Sequence, residues 1–462
     1  MADWFFYLPN KNRNKMRHLL MLFIIFISLS SKAQQDSVVL SLDDCISIGL
    51  DRNIQLKRAK NNQMIAEANR FQSIMNFFPS VNASMNYDYF FGTFFDTNVG
   101  AQVSATSSSS QPNINANLVL FNGLQNHHNV KRAHFSQEAA EYDVKSTHLD
   151  VETNILVSYL RVILDRENAQ ISADRVVLLK KQLEREQKRV TVGVGNLESV
   201  YNMRSQLATE RLNLTNLENT YRSDLLTLLQ AMQFDPSEAA YEVLPYNISE
   251  AALLLDLDPF DQVLNESLAG NPALNAAHAR KKASEYQFKI AKAGRSPRLT
   301  WSGAIGSNYS SNGAFNPSTG EREPNATWKD QLEYNEYEYM EFRLSIPIFT
   351  RFQTTNAVQN AKFNISNAEL DVNQAMNTVT NVLQQAYLDL VSAQTTYTSA
   401  KENLEALDQT FVFMKKRFDT GNTNFYVYLE SLNNKNVAEV QLVNAKYNII
   451  FRKKVLDLYR GL

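Results

Sequence analysis

Three histidines crowd the stretch NHHNVKRAH: His127, His128 and His134. Imidazole nitrogens bind zinc, copper or nickel, and His127 and His134, seven residues apart, fall on one helical face. Solvated polar positions account for them better, so no metal site is expected. The stretch DLDPFD at 256–261 offers aspartates to calcium, but Asp258 with Asp261 three residues on reads more simply as a helix N-cap. Gly193-Val194-Gly195 has no strand before it, which removes a dinucleotide reading. No catalytic triad and no carboxylate pair stands at a workable spacing. The expectation is a chain without catalytic residues, metal or cofactor.

The elements that carry these residues are more informative. The chain has 462 residues, a formal net charge of −2, 44% hydrophobic and 20% charged residues. That charge leaves no nucleic-acid footprint. Cys45 is the single cysteine, which excludes an intramolecular disulfide and a cysteine-based zinc cluster. Lys11, Arg13, Lys15, Arg17 and His18 precede LLMLFIIFISLS and the small residues Ser31 and Ala33. Residues 1–33 therefore read as a secretory signal peptide, with Met16 as a second possible start. SLDDC around Cys45 does not resemble a lipidation site. Beyond residue 33 no apolar run is long enough for a membrane helix, so entry into a bilayer requires strands.

Residues 124–192 and 352–420 contain neither glycine nor proline. An unbroken helix over either run reaches about 100 Å, a length typical of coiled coils. The runs end at Gly193 and Gly421 and are followed by helical stretches 196–235 and 422–460. Val176, Leu179, Leu183, Glu186 and Val190 step by three and four, as do Leu404, Leu407, Phe411, Met414 and Phe418. The return stretch repeats this over Val200, Met203, Leu207, Glu210, Leu214, Leu217, Tyr221, Asp224 and Leu228. Such seams predict two antiparallel hairpins turning at Gly193-Gly195 and Gly421.

The two hairpins are copies. Arg189 and Arg417, Phe121 and Phe349, and Gly193 and Gly421 share one offset, 228 residues. RNIQL at 52–56 matches GNPAL at 270–274. An internal duplication follows: 34–257 and 258–462, each with a first helix (about 42–78 in the first copy), two strands, a long helix and a return helix. Strands are expected at about 80–121 and 298–349.

In VNASMNYDY, Val81, Ala83, Met85, Tyr87 and Tyr89 alternate with Asn82, Ser84, Asn86 and Asp88. Ile114, Ala116, Leu118 and Leu120 alternate with Asn113, Asn115 and Asn117. Leu299, Trp301, Gly303 and Ile305 repeat the pattern, and so do Met340, Phe342, Leu344, Ile346 and Ile348 against Glu341, Arg343 and Ser345. Four segments of about ten residues with aromatic ends fit a membrane barrel strand. The polar stretches TSSSSQ at 106–111 and SSNGAFNPSTGEREPNATW at 310–328 read as wet external loops. Four strands cannot close a barrel and an open edge is not tolerated in lipid, so the chain must assemble with copies of itself. The fold class is an α+β membrane protein, part barrel and part antiparallel α-helical coiled coil.

From Leu40 to Arg460 the sequence resembles the TolC-type outer-membrane efflux proteins. The resemblance rests on LSLDDCISIGLDRNIQLKRAK, Pro79 before the first strand, LVLFNG at 118–123 with Phe121 and Gly123, LSIPIF at 344–349 with Pro347 and Phe349, and the tips RVTVGVG and RFDTGNTN. Pro297 occupies the place of Pro79 in the second copy. The resemblance implies a homotrimer with a 12-stranded barrel, a periplasmic helical tunnel, and a belt from 34–40, 236–258 and the C-terminal end. It implies a periplasmic adaptor and an inner-membrane pump of RND or ABC type as partners, in efflux or type I secretion. It further implies ion pairs and acids at the closed end. Glu430 is placed there, with Arg417, Arg189, Glu198 and Ser199 near it, while Val427 stands where a second acid is usual. The competing readings are a secreted or periplasmic coiled-coil structural or adaptor protein, and a periplasmic enzyme with a catalytic sheet.

Overall fold

A computed structural model describes residues 38–96, 100–234, 241–245, 257–311 and 326–460. The predicted signal peptide lies outside them. The elements are β1 (Val38–Leu40), α1 (Leu42–Arg52), α2 (Ile54–Met75), β2 (Ser80–Asp96), β3 (Ala101–Phe121), α3 (Gln125–Thr191), α4 (Leu197–Ala231), β4 (Tyr241–Val243), α5 (Phe260–Gly270), α6 (Pro272–Ala293), β5 (Arg298–Gly306), β6 (Tyr309–Ser310), α7 (Trp328–Tyr334), β7 (Tyr337–Ser345), α8 (Gln353–Asp419) and α9 (Phe425–Arg460). They form two compact units. One gathers Met1–Asn53, Val151–Leu255 and Leu390–Lys453; the other gathers Ile54–Asp150, Asp256–Asp389 and Lys454–Leu462. α3 and α8, each of 67 residues, contribute to both.

In the first unit the helical seams merge. Leu179 of α3, Met203 and Leu207 of α4, Phe418 of α8, and Phe425 and Tyr428 of α9 share one core, flanked by Val176, Leu183 and Phe411. The heptad residues of both hairpins thus pack on one another as well as within each hairpin. Two polar members of the seams find partners there. Glu210 accepts from the buried Ser172 hydroxyl at 2.6 Å, and the buried Glu186 takes Arg189 at 3.4 Å. β1 and β4 pair in parallel, Val38 opposite Tyr241, which joins two of the predicted belt segments. Residues 236–240 and 246–256 of that belt lie outside the described residues.

The second unit holds one antiparallel sheet in the order β2-β3-β5-β7, with β6 added to β3. Among the described residues it is open, with β2 and β7 as its edges.

Several expectations need correction. The first helix of each copy is two helices, broken at Asn53 and Asn271. Asn271 caps α6 by accepting from the Leu274 amide at 3.0 Å, with Pro272 in the first turn. TSSSSQ is not a loop. It lies inside β3, where Ser110, Ser108 and Thr106 face Tyr87, Tyr89 and Phe91. Small hydroxyl side chains opposite aromatics keep the ladder going although β3 itself shows no alternation there. β7 stops at Ser345, so Ile346 and Ile348 are not strand residues; Pro347 has no N–H for the ladder. Ser41 and Asp44 form a capping box on α1. Asp258 caps nothing: the N-cap of α5 is Pro259, and the Asp258 carboxylate takes Arg460 at 2.8 Å.

Candidate functional site: the helical tips and the strand face

The tips are built from backbone first. Gly193 and Gly421 have φ of +77° and +76°, the left-handed conformation that residues with a Cβ disfavour. The Gly193 N–H donates to Val190 O at 3.0 Å and the Val194 N–H to Arg189 O at 3.0 Å. Gly421 and Asn422 repeat this on Phe418 and Arg417, at 3.1 and 2.8 Å. These are Schellman closures that satisfy the last carbonyls of α3 and α8. At Gly195 a Cβ would stand 2.7 Å from the Val190 nitrogen, so the returning chain runs too close for a side chain. Asn196 then caps α4 by accepting from the Glu198 amide at 3.0 Å, and Asn424 accepts from the Val427 amide at 3.0 Å.

The side chains around the turns link the two hairpins. Tyr426 donates its hydroxyl to the Glu198 carboxylate and accepts from Asn202 Nδ2 at 3.1 Å. The bond to Glu198 raises the tyrosine pKa. Gln206 reaches Asn433 at 2.8 Å, Gln182 reaches the Tyr428 hydroxyl at 2.8 Å, and Arg185 reaches Asp419 at 2.8 Å. Arg189 also lies over the Phe418 ring, 5.4 Å from its centre. The Arg417 guanidinium donates to Asn422 O at 3.4 Å. Of the predicted gate residues, Glu198, Arg189 and Arg417 thus serve the tips, and Ser199 is buried beside Glu198. Glu430 is exposed on α9 and makes no ion pair among the described residues. Tyr426 escaped the sequence reading, although it stands 228 residues after Glu198 and occupies the matching place in the second hairpin.

The sheet has two chemically distinct faces. Its register puts Val81, Met85, Ile114, Trp301, Phe342 and Leu344 on one side, and Val81, Phe342 and Leu344 are each more than 60% exposed. The other side carries Asn82, Ser84, Asn113, Asn115, Ser302 and Glu341. There Ser84 donates to Asn113 at 3.0 Å and Arg343 pairs with Glu341 at 2.9 Å. Tyr339 stands on this polar side, opposite Ala304. Pro79 and Pro297 immediately precede β2 and β5, Phe121 closes β3, and Pro347 and Phe349 lie between β7 and α8. Gly123 is left-handed, with φ of +65°.

The histidines do not converge. His127 and His128 meet edge-on at 5.8 Å, and His134 lies against Phe135. Burial lowers the His128 pKa. Among the described residues no three metal-ligating side chains gather. Cys45 is buried, and burial pushes its thiol up to about 12. No described helix is long and apolar enough to cross a membrane.

Comparison with known proteins places this geometry. The model of the outer membrane efflux protein family matches residues 45–232 and 263–459. The outer membrane protein TolC of Vibrio cholerae is 22% identical over 335 residues, 70% of either chain. The outer-membrane channel OprN superposes with a TM-score of 0.75 at 19% identity, covering 91% of this chain and 89% of its own. The CmeC outer membrane channel of Campylobacter jejuni gives 0.76 at 17%, covering 91% and 85%.

Proposed function

The chain belongs to the outer membrane efflux protein family, and from that premise we propose that three copies form one duct through which an inner-membrane pump expels its cargo. The chain lies in the outer membrane with its helices in the periplasm, and its relatives are channels rather than enzymes. The observation that carries the trimer is the open sheet. Among the described residues β2 and β7 leave unpaired edges, and the apolar face is exposed. Four antiparallel strands per copy let β7 of one copy pair antiparallel with β2 of the next, so the alternation continues around a ring. Three copies supply twelve strands, within the range of natural barrels, and the asparagine face then lines water. Native mass spectrometry of the detergent-extracted protein tests it. A trimer is expected, and a monomer under conditions that preserve known barrel oligomers overturns the proposal.

The same reading gives the tips a task. The Glu198–Tyr426 and Gln206–Asn433 bonds tie one hairpin to the other, so separating the hairpins requires breaking them. Glu430, exposed and without an ion pair among the described residues, supplies one carboxylate per copy near the closed end. Three such carboxylates in a narrow passage attract cations and repel anions. A periplasmic adaptor gripping the hairpins and a pump of the RND or ABC type complete the machine. The pump provides the energy, and this chain provides the passage. The layout as two duplicated modules, 34–257 and 258–462, accounts for the matched tips.

A further inference from the structure

The four crossings between helix and strand share a property that neither the duct nor the gate uses. Acids and bases nearly balance over the whole chain, 48 against 46. Yet residues 68–87, 97–137, 286–320 and 342–368, one stretch around each crossing, contain no aspartate or glutamate and ten lysines and arginines. Some of these cations are engaged. Arg70 donates to Gln137, and Arg343 pairs with Glu341. Lys131, Lys292, Arg295 and Arg351 are exposed, and none has a carboxylate partner among the described residues.

Exposed apolar side chains occupy the same crossings. Phe78, Leu124, Phe349 and Phe352 are each more than half exposed. They stand between the strands and the helices. Apolar side chains flanked by long cationic ones match the boundary between acyl chains and headgroups, where cationic stems lie along apolar surface and their ends reach outward.

The backbone adds an independent sign. The chain enters α3 through two left-handed residues, Gly123 and Leu124, with φ of +65° and +67°. It enters α8 through two more at the equivalent positions, Arg351 and Phe352, with φ of +50° and +61°. Glycine takes the first of these positions without strain, and arginine does not. The second crossing therefore keeps a charged side chain where the backbone favours its absence, as is usual where a residue serves a ligand.

We infer that these crossings form a phosphate-binding collar for anionic phospholipid in the periplasmic leaflet. Arg351, Arg295, Lys292 and Lys131 hold headgroup phosphates, while Phe349, Phe352 and Leu124 rest against the upper acyl chains. The inference rests on the outer-membrane placement of the chain and does not depend on closure or gating of the duct.

Native mass spectrometry of the delipidated full-length protein tests it, with phosphatidylglycerol, phosphatidylcholine and inorganic phosphate added in separate arms. Phosphatidylglycerol is expected to be retained at least tenfold over phosphatidylcholine. That preference should fall roughly fivefold in Arg351→Gly, where one cation is removed, and be lost in Lys292→Gln with Arg295→Gln, where two are. Arg351→Gly relieves the left-handed arginine, so its melting temperature should hold or rise while headgroup preference falls. Equal retention of the two lipids, or a preference that survives all three substitutions, overturns the collar. Displacement of the lipid by millimolar inorganic phosphate would assign the cations to a soluble anion and overturn it equally. Conductance of the same variants in planar bilayers reports on the duct separately.

Discussion

Replacing Asp165 by asparagine should stabilise the protein at neutral pH and leave it unchanged near pH 4. Asp165 lies on α3 and meets Asp224, an acid at a seam position of α4. Burial, then the hydrogen bond and the negative charge of Asp224, push the Asp165 pKa up to about 7, and Arg161 opposes them only partly. Arg161 stands 4.0 Å from Asp224, and one Asp165 oxygen is buried with no partner. A carboxyl whose folded pKa exceeds its unfolded value of about 3.9 favours folding least when ionised. Its contribution is intact below about pH 4, declines as pH rises to about 7, and is flat above. The full span corresponds to about 4 kcal/mol. Because the carboxyl is only partly removed from water, screening reduces this to about 1–2 kcal/mol. Asparagine keeps the shape and the hydrogen bond and never ionises. Thermal melts followed by far-UV circular dichroism at pH 4 and pH 8 measure the difference. A gain at pH 8 that disappears at pH 4 is expected. An equal shift at both values, or a loss at pH 8, would refute the account of the pair.

Glu430→Gln should lower cation preference and weaken block by divalent metal in planar bilayers; unchanged selectivity would return Glu430 to the outer wall as a solvated residue. Tyr426→Phe removes a hydrogen bond to a charged acceptor, worth about 1.5–3 kcal/mol when fully formed and less at an exposed site. Single-channel recordings should show more frequent or larger openings, with cation selectivity kept, and a variant as closed as wild type would remove Tyr426 from the latch.

The long helices were readable because a missing residue type is a clear signal: 67 residues of α3 and α8 contain no breaker, and their heptads end where the glycines turn. The breaks at Asn53 and Asn271 were less visible. Asn271 interrupts the helix by capping the next one and Asn53 closes the helix before it, which leaves hydrophobic periodicity on both sides intact, although Pro272 marked the second break. β2 was legible to Tyr89 by alternation, but its continuation to Asp96 depends on a serine-rich partner strand whose pattern is flat. At the tips, spacing located the turns and matched Arg189 with Arg417, while Glu198 came only from the family resemblance. The partner of Glu198 was hidden because Tyr426 belongs to the other hairpin, and only packing of two seams into one core brings them together. The junction cations were hidden for a different reason: a charge asymmetry spread over four distant segments appears only when the fold gathers them.

The order of strands in the sheet has a consequence for how the molecule is made. β2 and β3 are neighbours in sequence, so their hairpin closes a short loop and can form early. β3 then pairs with β5, joining Asn113 to Gly306 across roughly 190 residues of chain, and the entropy of closing so long a loop delays that step. A chain exported from its N-terminus presents the β2–β3 hairpin, with its apolar face and both edges, well before β5 arrives. During that interval the hairpin is the kind of surface that aggregates. Until β5 pairs with β3, the exposed β2–β3 hairpin is therefore the part of the chain most open to aggregation.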